Sequence, residues 1–576
     1  MYLLQQIPQC TYSDSRKTEL YVRAGEGTVS YDTYFGAFAA SYWKAITTVA
    51  DVTLRFVANG NGSAQLVGLS NGEERVVAEL PISGGEQVSF EPIQLGECDC
   101  DALFLRFVGA GAITLVYGAW VTSSEPQRNV RLGAVITTFN RQEYVARIVD
   151  SVAVLGAEHQ NLEDRIRVTI IDNAGNLQLA HSSNSTSSVT VDVVPSRNLG
   201  GAGGFARGLI KLRDDGWATH ALFMDDDITL EPESLRRTLS LLEFARDPML
   251  CVHGAMISED QPWLCVEAGA DYLWKSIYPP RPLHRNEDLR QRDVALAARY
   301  TQPCAYSAWW YTAFPVAITS DNPLPVFIRG DDVAWGLMHT RGHIETLPGI
   351  AVWHADFDVK NIPAAVYYEI RNLTLANLLT VDEYRWWHLL KRFLGYAFLN
   401  LYSMRYLSTE YLIEGMNDFL KGPQEWMKFD HAAIHKRLTI STEERSFDMD
   451  QSVMDANFFD SSTRATRPRD FMLSILSFGG TLVPPFLRSA DVIAVPVQKR
   501  AISASIRHNS VIHRHPRMAV GFIATRDSRR FWKLLINVVK TAAVLPFRYS
   551  KVARAYKRDY SNMVSDAYWQ SLFNPN

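Results

Sequence analysis

The sequence predicts an α/β fold: a mostly parallel central sheet interleaved with helices, preceded by a β-sandwich and followed by a helical region. Three patterns carry this expectation. Short alternating apolar runs with turn dipeptides fill residues 1–125. Nearly continuous β-branched runs alternate with helical stretches over 126–362, and apolar residues at three- and four-residue spacing dominate 363–576. A chain of 576 residues has room for three such domains.

In the first region, VTLRFVA (Val52 to Ala58), AQLVGL (Ala64 to Leu69), ERVVAEL (Glu74 to Leu80) and ALFLRFVG (Ala102 to Gly109) read as strands. Asn59-Gly60, Asn71-Gly72 and Gly84-Gly85 supply turns, which suits a sandwich or jelly roll. Ser123 to Gln127 reads as a linker. LGAVITTF (Leu132 to Phe139), VTIID (Val168 to Asp172), TVDVV (Thr190 to Val194) and HALFM (His220 to Met224) then have the character of strands buried on both faces. Helices are expected between them, over Tyr144 to Leu155 and Phe205 to Asp214. YYEIRNLTLANLL and the stretch from Trp386 to Leu420 begin the helical region.

Composition excludes several classes. With 58 basic against 62 acidic residues and a net charge of −4, the chain is not a general nucleic-acid binder. At 47% hydrophobic and 21% charged it is globular rather than disordered. Six cysteines without a CxxC pair argue against a disulfide scaffold or structural zinc site, and for a reducing compartment. The opening MYLLQQIPQC lacks the basic start and long apolar run of a signal peptide, and no transmembrane run is evident. The expected location is cytoplasmic, extending to a peripheral place on the cytoplasmic face of the cell membrane. The basis is 526–558, where Arg529, Arg530, Lys533, Lys540, Arg548 and Lys551 interleave with apolar residues. Such a helix either lies on an anionic membrane or packs its apolar side on its own domain. Assembly into a homo-oligomer is compatible with the chain.

Asp225-Asp226-Asp227 ends a predicted buried strand, where ligands of open α/β sheets gather. Three successive carboxylates repel unless a cation or donors compensate. In extended backbone Asp225 and Asp227 share one side, which suits a hard divalent cation, and this reading is favoured over a solvated turn that caps the helix expected near Pro232. Asp331-Asp332 opens a predicted helix, VAWGLMHTRG, so either capping or general-base chemistry accounts for it. His354 ends an apolar run and could complete a metal shell or be structural. The run Arg197 to Gly208 (RNLGGAGGFARG), including Asn198, Gly200 and Gly201, allows close backbone approach to a phosphate. It lacks the GK[ST] of a Walker A loop and follows the third strand, not the first as a dinucleotide fingerprint would. Of the adjacent Trp309 and Trp310, at most one is expected to stack on a sugar while the other packs inward.

Taken together, VITTFNRQEY, IDNAGN, FMDDD and GDDVAWG make the chain resemble inverting family 2 glycosyltransferases of the GT-A fold. NLGGAGGFARG, the triple Asp, the Trp309-Trp310 pair, WH after the acidic motif and the three-part layout are most similar to the galactofuranosyltransferases that build bacterial cell-wall galactan. The chain departs from that pattern at Gly330, where those enzymes carry tryptophan before the acid pair. The resemblance implies a UDP-sugar donor, UDP-galactofuranose foremost, a glycan or glycolipid acceptor and Mn²⁺ or Mg²⁺. Asp225, Asp227 and His354 would hold the cation, and Arg141, Asp172, Asn198, Gly200, Gly201 and Asp226 would surround the donor. Asp332, with Asp331 beside it, would serve as base, and Trp309 or Trp310 would position the acceptor. Transfer of galactopyranose or rhamnose is the alternative within the class. A non-catalytic carbohydrate-binding protein is the alternative outside it.

Overall fold

The computed structural model describes every residue except 9–13, 83, 159–163, 180–188, 298–302, 341, 358–361, 456–467, 490, 498–501, 503–504 and 575–576; Cys10 lies outside the described residues. Two compact units divide the chain. The first comprises Met1–Tyr272, Pro280–Asn322 and Trp335–Ala355; the second comprises Leu273–Pro279, Pro323–Ala334 and Asp356–Asn576.

The first unit opens with two antiparallel sheets. One holds Tyr2–Gln6, Thr114–Thr122, Asp51–Asn59 and Gln87–Ser89, with Ile93–Gln94 at its side. The other holds Arg23–Gly25, Thr28–Ser30, Ala102–Val108, Gly62–Ser70 and Glu73–Ile82. Inward residues of both, including Leu54, Phe56, Leu66, Leu105 and Phe107, make a sandwich core. The same apolar cluster continues into Leu132, Ile136 and Leu222 of the central sheet.

The central sheet contains β1 (Leu132–Thr138), β2 (Ile166–Asp172), β3 (Thr190–Pro195) and β4 (His220–Asp225). After the short β5 (Ile228–Leu230) come β6 (Cys251–His253), β7 (Thr312–Pro315) and β8 (Ile344–Glu345). The order is β3-β2-β1-β4-β7-β6-β8, with β1 parallel to both β2 and β4, and β7 antiparallel to β4 and β6. Because the chain leaves β1 for β2 on one side and returns to β4 on the other, the carboxyl ends of β1 and β4 flank a topological switch point. A second sheet pairs β5 with β9 (Ala351–His354), which adjoins Ala255–Ser258. Helices α1 (Gln142–Glu158), α2 (Gly200–Asp215) and α3 (Pro232–Phe244) complete this part of the unit.

Helix α2 starts five residues earlier than its sequence suggests and absorbs the glycine run. Glycine disfavours helix by about 1 kcal/mol per residue, yet packing reverses that preference here. A Cβ at Gly204 would lie 2.3 Å from Thr137, and one at Gly208 would lie 2.2 Å from Val135. The glycines therefore let α2 settle directly on β1.

A buried charge network fastens the sandwich to α3. Glu233 accepts from the Gln6 backbone N–H at 2.6 Å and pairs with Arg236 at 3.2 Å. Tyr21 donates to Glu231 at 2.5 Å, while Arg237 donates to the carbonyls of Gln6 and Phe35 at 3.1 and 2.5 Å. Removing one member of such a buried set leaves an uncompensated charge, which is strongly destabilising.

The second unit is built on helices α5 (Ala364–Thr380), α6 (Trp386–Tyr402), α7 (Tyr406–Phe419) and α8 (Ser528–Met563), where α4 denotes Asp331–His339. α5 is buried on all sides, polar Arg371, Asn372, Thr374 and Asn377 included. The unit also contains a four-stranded sheet of Phe447–Asp448, Val520–Thr525, Ser510–Arg514 and Ile493–Pro496. The sequence reading, which expected a mainly helical region, did not foresee this sheet. Along α8 the inward residues Phe531, Leu534, Val538, Thr541, Leu545, Tyr549 and Val552 recur at three- and four-residue spacing.

Candidate active site

The first unit gathers its acids at the end of β4. Asp225 is the last residue of β4, opposite Thr137 of β1, and Asp226 and Asp227 form the turn into β5. β5 pairs antiparallel with β9 so that Ile228 faces His354. This register carries a histidine from far along the chain to the acidic turn: His354 Nε2 lies 3.1 Å from Asp227 Oδ1. His354 Nδ1 is 2.7 Å from the Ala355 carbonyl. That contact requires the proton on Nδ1, so Nε2 is the ring nitrogen turned toward the acids.

Ligand atoms of Asp225, Asp227 and His354 all lie within 4.8 Å of one another. Two carboxylates and an imidazole held by a carbonyl are a donor set that fits Mn²⁺ or Mg²⁺. Arg141, three residues beyond β1, reaches the same turn, and its Nη1 is 2.8 Å from both Asp226 and Asp227. Burial pushes the Asp226 carboxyl upward against the pull of Arg141. Burial also works to lower the Arg141 guanidinium, but pairing with Asp226 and Asp227 leaves it raised overall.

The remaining donor-site candidates ring the carboxyl ends of β2 and β3. Asp172 ends β2, and its carboxylate accepts the backbone N–H groups of Ala174 at 3.0 Å and Leu177 at 2.7 Å. Asn198 accepts from the Gly200 N–H at 3.0 Å, ahead of α2. Gly200, at φ 71°, and Gly201 lie in the first turn of that helix, the ordinary place for an anion to meet backbone N–H groups. Sequence reasoning passed over Asn173, whose Nδ2 donates to the Gly200 carbonyl at 3.2 Å and ties β2 to α2. Only its position beside Asp172 could have drawn attention to it.

Trp309 and Trp310, expected to offer one sugar platform between them, are both only 4% exposed. Trp309 packs against Phe205, Phe223 and Trp335. Trp310 donates its indole N–H to the Gly254 carbonyl at 2.9 Å and lies against His253. Both sides of this segment are covered, so neither ring presents a face outward, and both serve the core.

Asp331 and Asp332 stand in the first turn of α4. Asp331 is buried. Asp332 accepts the Val333 N–H at 2.8 Å. Burial raises the Asp332 carboxyl to about 6, against the lowering pull of the Val333, Gly330 and Asp332 N–H groups and of Arg329. A carboxylate with that proton affinity suits proton abstraction near neutral pH. Gly330 takes φ 84°, a conformation that disfavours any side chain.

The sheet of order β3-β2-β1-β4 thus carries acids at its switch point, where open α/β sheets bind their ligands, and a histidine from a second sheet joins them. The family model for glycosyl transferase family 2 matches residues 134–275, and the model for the galactofuranosyltransferase 2 N-terminal region matches residues 2–122. The chain is thus a glycosyltransferase with a family 2 domain, and it is similar to galactofuranosyltransferases. GlfT2 of Mycobacterium tuberculosis is 27% identical over 455 residues, covering 73% of this chain and 69% of that protein. GlfT2 of Mycolicibacterium smegmatis is 26% identical over 546 residues, covering 88% and 78%. Among solved structures, GalNAc-T7 with UDP, GalNAc and Mn²⁺ overlaps 57% of this chain and 60% of its own at 13% identity, with a TM-score of 0.33.

Proposed function

We propose that this protein is an inverting, metal-dependent galactofuranosyltransferase that moves galactofuranose from UDP-galactofuranose onto a growing, lipid-linked galactan. The observation that carries the reading is the convergence of Asp225, Asp227 and His354 at the end of β4, the two acids lying within residues 134–275 that the family 2 model matches. Asp225, Asp227 and His354 would hold Mn²⁺ or Mg²⁺, which when bound neutralises charge on the diphosphate. Arg141 keeps the acidic turn in place, and the first turn of α2 with Asn198, Gly200 and Gly201 receives the donor. Asp332 takes the proton from an acceptor hydroxyl. The freed oxygen forms a bond to the anomeric carbon as the bond to the diphosphate oxygen breaks. UDP leaves with that electron pair, and the configuration inverts in one displacement.

A donor screen read by mass spectrometry tests the assignment. With a short galactofuranose oligosaccharide as acceptor, UDP-galactofuranose is expected to give products longer by one or more hexoses. Extension only by galactopyranose or rhamnose donors would move the specificity to those sugars.

We further propose that α8 contacts the membrane through a second, outward face. Ile536, Val539, Val544 and Phe547 are exposed there, Phe547 at 85%, among Lys533, Lys540, Arg548 and Lys551. Among the described residues no helix is long and apolar enough to cross a membrane, so this contact is peripheral. The full chain is expected to float with phosphatidylglycerol-rich vesicles, to be released by salt, and to bind several-fold less after Phe547→Ser. Equal binding to phosphatidylcholine vesicles would refute the charge-assisted contact.

A further inference from the structure

The acid pair of α4 is delivered by a turn that cannot hold its own shape. Phe327, Arg329 and Gly330 all take positive φ, at 76°, 62° and 84°. Two of these are non-glycine residues, for which that region is unfavourable and persists only where the surroundings impose it.

The imposition comes from successive residues of α5. Asn372 Nδ2 donates to the carbonyls of Arg329 at 2.7 Å, Ile328 at 2.9 Å and Val326 at 3.4 Å. Arg371 donates from Nη2 to the Val326 carbonyl at 2.7 Å and from Nε to Asn372 Oδ1 at 2.8 Å. The second bond fixes the amide orientation, since Oδ1 must face the guanidinium and Nδ2 the turn. Arg371 is itself fully buried over the Trp426 ring at 4.3 Å. It also donates to Tyr367 Oη at 2.9 Å, and Tyr367 donates onward to Asp418 at 2.6 Å. Glu369 pairs with Arg329 at 3.2 Å, and the Phe327 ring lies against Tyr368 and His435.

We propose that Asn372, backed by Arg371, is a positioning residue for sugar transfer, acting through the 326–330 turn to fix where the Asp332 carboxylate points. This rests on the reading of Asp332 as the base. The N–H groups of Gly330, Asp332 and Val333 all act on that carboxylate, so the shape of the turn sets both its direction and its proton affinity. Asn372 touches neither substrate nor reacting atoms. Its amide NH2 lies within hydrogen-bond distance of three carbonyls of the segment that ends in the acid pair, with the two shorter contacts to Arg329 and Ile328.

The test uses the full chain with UDP-galactofuranose and a short galactofuranose oligosaccharide, comparing Asn372→Ala, Gly330→Ala and Asp332→Asn. Asn372→Ala is expected to lower kcat by roughly 10–100-fold, as a misplacement of ~1 Å does, with donor KM within about twofold. The acid limb of its pH–rate profile is expected to move to lower pH as water reaches the loosened carboxylate. Gly330→Ala strains the same turn, with its new Cβ 3.2 Å from Leu373 and 3.4 Å from Asn372 at a positive φ, and is expected to share that signature. It carries the test if Asn372→Ala does not fold. A folded Asn372→Ala with wild-type kcat and an unmoved acid limb, beside an inactive Asp332→Asn, would overturn the positioning role alone. A lower kcat with an unmoved limb and a matching fall in melting temperature would reduce Asn372 to a structural residue and overturn it as well. Turnover by Asp332→Asn would instead remove the base reading itself.

Discussion

Asp332→Asn is expected to cut sugar transfer by about 10²–10⁴-fold while leaving UDP affinity within about twofold, as befits loss of a general base. Asparagine keeps the size of the side chain and still accepts the Val333 N–H, but it cannot take a proton. Wild-type kcat should fall as pH drops through about 6, the value to which burial raises this carboxyl. The same shift has a stability consequence with a definite sign. Since the folded carboxyl titrates near 6 and its ordinary value is 3.8, the native state binds the extra proton between those limits. Stability is therefore lost as pH rises through that window, by up to about 3 kcal/mol above it. The asparagine variant escapes this loss and should melt at or above the wild-type temperature at pH 7. An inactive variant that is also unstable would point to damage to the fold rather than to loss of a base, and unchanged turnover would remove Asp332 from the reaction.

Asp227→Ala should have the second largest effect. Asp227 faces His354 Nε2 at 3.1 Å and Arg141 Nη1 at 2.8 Å, so its loss removes a carboxylate from the donor set and half of the guanidinium's pairing. Calorimetry is expected to show UDP affinity in Mn²⁺ falling roughly 10²–10³-fold, several kcal/mol in free energy, with little change in its absence. Wild-type activity that is indifferent to EDTA would refute a metal role for this cluster. The alanine variant would then be expected to lose only what Arg141 supplies.

Which parts of this were legible in advance follows from how local each signal is. LGAVITTF, VTIID and HALFM announced β1, β2 and β4 because a strand buried on both faces needs an unbroken apolar run, which is visible in a single window. The acids at the end of β4 were legible for the same reason. TVDVV also forms a strand, but β3 lies at the edge of the sheet and is largely exposed, against the expectation that it would be buried on both faces. The meeting of His354 with Asp227 was not derivable from residue spacing, because it depends on the Ile228–His354 register between strands far apart in the chain. The glycine run was misplaced because intrinsic propensity argues against helix there, while the decisive contacts are with Thr137 and Val135 of another element. The alternation of SVIHR and VGFIAT was hidden among helical segments of the second unit, and strands this short depend on partners for their identity. Arg371 and Asn372 read as ordinary polar positions on a helix. Only burial of α5 on every side reveals that they face inward.

The buried hydrogen bonds of Glu231, Glu233 and Arg237 with Tyr21, Gln6 and Phe35 bear on how such an enzyme can change over evolutionary time. A module joined only by a linker can be swapped, duplicated or discarded without harm to its neighbour. One whose backbone completes the hydrogen bonds of buried charges in the next layer has lost that independence. Recombination at Ser123 to Gln127 would exchange a sandwich and leave the buried charges of α3 without the hydroxyl and backbone groups that now satisfy them, so the two halves are constrained to diverge together.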